Sequence, residues 1–290
     1  MRLCFDATRF GCGLDGAVEL AAQRGLTAVE YSFLPFEVTQ KAPTLDKSEK
    51  AYLAEVKKAC RETGVEISCL NLDYAVDPED KKAVKQFLQM LAKLVLVADA
   101  AGCGRISVAV IVGASGSWRD SVVELLAAAQ KIASKKNLRL TLRLSTPQEF
   151  RGHSLKSWRA MEPQDWREIL SSCPELSLSF SPADCVWLGI DYLKILSGLV
   201  AAIDHVEAHD IEINRTLLND SGMYGPLWWR YRMPGKGQVD WSQLIELLKL
   251  YDFAGTFSIH LDDEFIGEEE EDLGDALSGS VKVLAPLVRD

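Results

Sequence analysis

Eight short apolar runs, each followed by a longer amphipathic stretch, predict an α/β protein closed as a single (β/α)₈ TIM barrel over residues 1–290. That alternation is the first observation, and length is the second. At 290 residues the chain suits one barrel, although the same length can also hold two domains. Third, no linker or shift of composition interrupts the pattern, which favours closure over an open sheet with a second domain.

The runs at 3–5, 28–31, 65–70, 105–112, 138–144, 176–180, 203–208 and 255–260 are the predicted strands one to eight. Between them lie helical stripes. Over 15–24, Ala17, Leu20 and Ala21 recur at helical spacing before Gly25 ends the turn. Over 81–101, Val84, Phe87, Leu88, Leu91, Leu94 and Val95 form one face, closed by Gly102. Residues 118–136, 192–201, 241–250 and 275–288 repeat the pattern.

Two connections are long, 33–46 after strand two and 210–239 after strand seven. Loops that follow barrel strands lie at the C-terminal face, where active sites of such barrels are built. The second carries Trp228, Trp229, Arg230, Tyr231 and Arg232. These can stack on a sugar-like ligand and hydrogen-bond it; equally, they can cap the barrel mouth or form a contact in a homo-oligomer. The acidic run 268–272 reads as a solvated loop.

Composition narrows the classes. Hydrophobic residues make up 48% and charged residues 26%, ordinary values for a globular enzyme-sized chain. A net charge of -10 argues against nucleic acid, which needs clustered Lys and Arg, and against an anionic membrane surface. With no apolar run long enough to span a bilayer and no secretory h-region, the expected location is cytoplasmic. The seven cysteines contain no CxxC pair, so no zinc ribbon or redox motif is present. Several fall in apolar patterns and are expected to be buried free thiols.

The C-terminal half carries a chain-ordered set of motifs: Phe180-Ser181-Pro182-Ala183-Asp184, His205-Val206-Glu207-Ala208-His209-Asp210, Met233-Pro234-Gly235-Lys236-Gly237-Gln238-Val239-Asp240-Trp241, and the strand ending Ser258-Ile259-His260. Together with Val29-Glu30-Tyr31, they resemble the sugar phosphate isomerase/epimerase family of xylose-isomerase-like and AP-endonuclease-like barrels. The resemblance implies a small carbohydrate or polyol as ligand. It also implies one divalent cation (Mn, Mg, Co or Zn), held by Glu, Asp, His and Glu at the ends of strands five to eight. Here the matching positions are Ser145, Ser181, Glu207 and His260. Where many relatives carry a substrate-contacting histidine there is Asp184. Neutral hydroxyls are weak ligands beside carboxylates, so no metal cofactor is expected at these positions.

If the ligand positions point inward, side-chain alternation places Thr141, Arg143, Ser145, Ser177, Ser179, Ser181, His205, Glu207, Thr256, Ser258 and His260 inside the barrel. Leu140, Leu142, Leu144, Leu176, Leu178 and Phe180 then pack under the helices. A buried Arg143 needs a partner, with Glu207 the first candidate and Asp184 the second. Its guanidinium either supplies the charge a metal would supply or belongs to an inert ion pair. Glu207 and His260, with Asp184, are the candidate catalytic residues: Glu207 and His260 form an acid/base dyad, or the three hold a weakly bound metal, or His260 belongs to a hydrogen-bonded polar core. Arg143, Ser145, Ser181, Trp229 and Arg230 are the candidate substrate-binding residues. His205 lies deeper and reads as structural; His209 and Asp210 face ligand or solvent; His153 sits in a polar loop.

Two functions follow from the resemblance. One is a sugar or polyol isomerase or epimerase working without the usual metal; the other is a sugar-binding barrel or partner subunit that has lost catalysis. An AP-endonuclease-like activity needs several metals and many ligands, and four histidines in an acidic chain fit it poorly.

Overall fold

The structure is a computed structural model that describes residues 1–38, 43–110, 118–143, 162–223, 225 and 227–289. Eight parallel strands make one sheet: β1 (Arg2–Phe5), β2 (Ala28–Phe33), β3 (Glu66–Val76), β4 (Arg105–Val110), β5 (Arg139–Arg143), β6 (Ser177–Phe180), β7 (Ile203–Ala208) and β10 (Thr256–Ile259). Their order is β1-β10-β7-β6-β5-β4-β3-β2. A parallel bridge between Asp6 and Glu30, with the Ala7 N–H donating to the Glu30 carbonyl at 3.0 Å, brings the two ends of the sheet together. Every predicted strand is present, and the fold is the predicted barrel.

The surrounding helices are α1 (Leu14–Gln23), α2 (Pro35–Val38), α3 (Lys47–Thr63), α4 (Lys81–Ala101), α5 (Trp118–Ala133), α6 (Pro163–Ser172), α7 (Pro182–Trp187), α8 (Tyr192–Leu199), α9 (Arg215–Ser221), α10 (Trp241–Leu250) and α11 (Glu270–Arg289). Local chemistry sets their ends. Asp46 accepts from the Ser48 and Glu49 amides while Glu49 reaches back to Asp46, a capping box that starts α3. Helix α4 buries Phe87, Leu91 and Leu94, then stops at Gly102, whose φ of +86° suits glycine best. On the sheet side Leu140, Leu142, Leu178 and Phe180 are fully buried, so the apolar core is the layer between strands and helices. Each such side chain contributes about 1.5–3 kcal/mol by leaving water.

Three expectations need correction. The connection 210–239 is not one long loop: β8 (Asp210–Ile213) and β9 (Trp229–Arg232) form an antiparallel ribbon with α9 between them. Its period-two pattern is short, with Ile211, Trp229 and Tyr231 buried and Glu212, Arg230 and Arg232 half-buried. The acidic run 268–272 is exposed, but from Glu270 onward it is helix, so α11 starts five residues before the predicted 275. Glu270, Glu271 and Asp272 occupy the first turn, where the positive end of the helix dipole stabilises carboxylates. Asp210, expected to face ligand or solvent, is fully buried.

Asp210 explains the glycine-rich run that follows. Its carboxylate accepts from the Ile211 and Val239 amides at 2.9 Å, and from the Gly235 amide and Trp241 Nε1 at 3.1 Å. A Cβ on Gly237 would meet Asp210 Oδ1 at 2.3 Å and the Ile211 carbonyl at 2.4 Å. The motif is therefore a backbone staple closing the ribbon onto α10. All seven cysteines are free, five of them buried. Among the described residues, no helix is long and apolar enough to cross a membrane.

Candidate functional site

Alternation along the strands fills the barrel with polar side chains in two clusters. At the N-terminal ends of the strands, Asp204 accepts from Arg105 Nε at 3.1 Å, Arg139 Nη1 at 3.2 Å and Ser177 Oγ at 2.9 Å. Arg105 Nη1 also donates to Thr256 Oγ1 at 2.8 Å, and the Thr141 and Ser177 hydroxyls lie 2.9 Å apart. This cluster plugs the lower end of the barrel.

The second cluster lies towards the C-terminal ends. Arg143 Nε donates to Glu207 Oε1 at 3.1 Å, and Ser179 Oγ donates to the same oxygen at 2.7 Å. Thus Arg143 points into the barrel and takes Glu207 as its partner. Burial pushes the Glu207 carboxyl up, but Arg143, followed by His260 and His209, brings it down to about 2. Burial also opposes charge on Arg143, and Glu207 outweighs it, so the guanidinium is a fixed cation.

Beside this pair, Glu30 of β2 faces two imidazoles. Its Oε2 lies 2.8 Å from His205 Nε2 and 3.5 Å from His260 Nε2. Burial raises the Glu30 carboxyl, yet the His205 and His260 rings hold it well below the usual range. For His260, burial disfavours the charged ring, but Glu30 first and then Glu207 and Asp6 push it up to about 10. Asp6 at the end of β1 is raised by burial and by Glu30; its Oδ1 accepts from the Thr8 amide at 2.9 Å and its Oδ2 from Ser32 Oγ at 3.0 Å.

The remaining predicted residues scatter. Ser145 and His153 lie outside the described residues. Ser181 caps α7, accepting from the Asp184 amide at 3.1 Å, with His209 Nε2 3.2 Å away. The Asp184 carboxylate accepts from the Tyr231 hydroxyl, rather than from Arg143. Buried Trp229 packs edge-on against Trp187 and Tyr231, at centroid distances of 5.8 and 5.3 Å. Arg230 Nη2 pairs with Glu212 at 2.8 Å and its guanidinium lies 4.3 Å over Phe265. Trp229 and Arg230 do line one cavity of about 220 Å³, shared with Glu212 and Glu264.

Of the three described positions at which the resemblance places the family's divalent cation, Ser181, Glu207 and His260, the first two are already engaged. Ser181 is a helix cap, and Glu207 is already held by a fixed cation and a hydroxyl, an arrangement that repels a second positive charge. A different set converges instead. One donor atom each of Glu30, His205 and His260 lie within 4.8 Å of one another, as do those of Glu207, His209 and His260.

Asp6 and Asn71 are site residues that sequence reasoning passed over, and Glu30 entered it only as part of a strand-two motif. The available signal was alternation: Asp6 follows Cys4, and Ser32 follows Glu30, at the two-residue step of an inward face. It was hidden because each polar residue stands alone among apolar neighbours.

A model of the xylose isomerase-like TIM barrel family matches residues 18–280. Among solved structures, this chain is similar to a xylose isomerase domain protein from Planctomyces limnophilus, at 13% identity and a TM-score of 0.74 over 99% of this chain and 96% of that one. It is also similar to a D-psicose 3-epimerase from Clostridium cellulolyticum H10, at 11% and 0.72 over 99% of both chains. A third likeness is to a probable 3-DHS dehydratase from Bacillus anthracis, at 14% and 0.70 over 98% and 99%. These identities speak for the fold alone. No curated protein sequence matches.

Proposed function

This chain belongs to the xylose isomerase-like TIM barrel family, and from that premise we propose that it binds a small carbohydrate or polyol at the C-terminal mouth of its barrel. In this reading the Arg143 guanidinium stands in for the divalent cation at the family's position. The observation that carries it is the inward-facing Arg143–Glu207 pair, supported by Ser179. A guanidinium offers a planar fork of donors that suits two adjacent oxygens, and a carboxylate accepts hydroxyl protons.

Isomerase or epimerase turnover needs a group that trades protons near neutral pH. Glu207, locked to Arg143, is a poor base, so the reading is a ligand-binding member of an isomerase and epimerase lineage. The test is a thermal-shift screen of chelator-treated protein against aldoses, ketoses and inositols, with NMR in heavy water to detect exchange at carbon. The expected result is a saturable rise in Tm with at least one polyol, absent in Arg143→Met, and no exchange. Turnover by the chelated protein would replace the binding reading with the enzymatic one. Failure of every polyol to shift Tm would remove both.

A further inference from the structure

Three donor atoms in the upper cluster have no hydrogen-bond partner, although all are buried: Glu30 Oε2, His205 Nε2 and His260 Nε2. Their residues are 1%, 1% and 4% exposed. The atoms converge from β2, β7 and the end of β10, with 2.8 Å between Glu30 Oε2 and His205 Nε2 and 3.5 Å between Glu30 Oε2 and His260 Nε2. The close contact is not aligned as a hydrogen bond. A buried polar atom lacking an aligned hydrogen bond is uncommon. Three of them aimed at one point form a site.

Two of the three are also oriented from behind. Glu30 Oε1 accepts from Asn71 Nδ2, which turns Oε2 towards the imidazoles. His205 Nδ1 lies 3.2 Å from Thr256 Oγ1, itself fixed by Arg105, so Nε2 is the nitrogen presented. Outer partners of this kind set the tautomer and ring direction of metal-binding histidines. His260 Nδ1 has Asp262 Oδ2 at 3.8 Å, beyond hydrogen-bond reach.

We propose that Glu30, His205 and His260 bind one transition-metal ion, in a ligand set that shares only the strand-eight position, His260, with the set the family's cation uses. Two imidazoles and one carboxylate select a borderline ion such as Zn²⁺ or Co²⁺ over Mg²⁺ or Ca²⁺. Three protein ligands leave a fourth position for water or a ligand oxygen. The alternative trio of Glu207, His209 and His260 is the weaker site, because Arg143 and Ser179 already occupy Glu207 Oε1. The proposal holds whether or not the mouth binds a polyol.

The test is to strip the full chain with chelator, titrate it with Zn²⁺ or Co²⁺ alone at neutral pH, and measure bound metal and the visible absorption of Co²⁺. One ion per chain is expected, with binding weakened at least about tenfold in Glu30→Gln and His205→Ala and retained in His209→Gln. No stoichiometric binding by the wild type overturns the proposal, as does loss in His209→Gln with retention in the other two. Should a variant misfold, histidine ¹⁵N spectra of the wild type decide. Zn²⁺ is expected to move the Nε2 signals of His205 and His260; movement of His209 in place of His205 overturns the proposal.

Discussion

Two charged clusters lie inside one barrel, one towards each end of the strands, and they are built on different terms. In the lower one Asp204 is shared by Arg105, Arg139 and Ser177, and Thr141 and Thr256 take up what remains. Among the described residues, that cluster leaves no buried side-chain polar atom without a partner. The upper one is half finished. Arg143, Glu207 and Ser179 satisfy one another, while Glu30, His205 and His260 face one another as charged groups without an aligned hydrogen bond between them. A network closed by aligned hydrogen bonds has no further need of a ligand, whereas converging charged groups without them leave lone pairs that a cation can take. His205 joins the two, with Nδ1 against Thr256 and Nε2 in the open group.

The largest expected effect tests the upper cluster through pH. His260 rises from an ordinary 6.5 to about 10 in the metal-free fold. Its contribution is therefore fully present below pH 6.5 and is lost as pH climbs through 10. Urea unfolding of chelated protein should show an alkaline loss on the order of 5 kcal/mol. Loading with Zn²⁺ should shrink that loss, since the metal replaces the proton, and His260→Gln should abolish it. A limb equally steep with and without metal would separate His260 from the proposed ion site.

Next comes the lower cluster. Asp204→Ala strands Arg105, whose side chain is only 13% exposed, and should cost about 3–5 kcal/mol in the same assay. No dependence on metal is expected. If added Zn²⁺ rescues this variant, the two clusters are coupled and the contrast between them fails.

Smaller is the acid limb from Glu207. Its carboxyl falls from 4.5 to about 2, so its contribution is present above pH 4.5 and is lost as pH falls towards 2. Roughly 3 kcal/mol should disappear over that window, and Arg143→Met should flatten it. Smallest is Tyr231→Phe, which removes the hydroxyl donor from Asp184 and should cost about 1 kcal/mol by thermal melting. An unchanged Tm would mean that Asp184 draws its stabilisation from elsewhere.

The sequence made the barrel legible because each strand is a compact apolar run and each helix carries its own stripe, so local periodicity is enough. Arg143 and Glu207 were legible for a related reason, as a charge on an inward face demands an opposite charge across the strands. The meeting of Glu30, His205 and His260 was not. It depends on the closure of the sheet between β1 and β2, and on registers in which Ser179 stands beside His205 and His205 beside Thr256. No spacing along the chain encodes that. The aromatic run was misleading in the other direction. Trp229 belongs to a ribbon whose apolar face turns inward, where Trp187 and Tyr231 cover its edges.

The contrast between the two clusters is tested most directly by X-ray diffraction at the zinc edge from crystals of the full chain grown with Zn²⁺. The account predicts one anomalous peak bounded by Glu30 Oε2, His205 Nε2 and His260 Nε2, with none beside Asp204. An empty upper cluster, or a peak held by Glu207 and His209 instead, would contradict it.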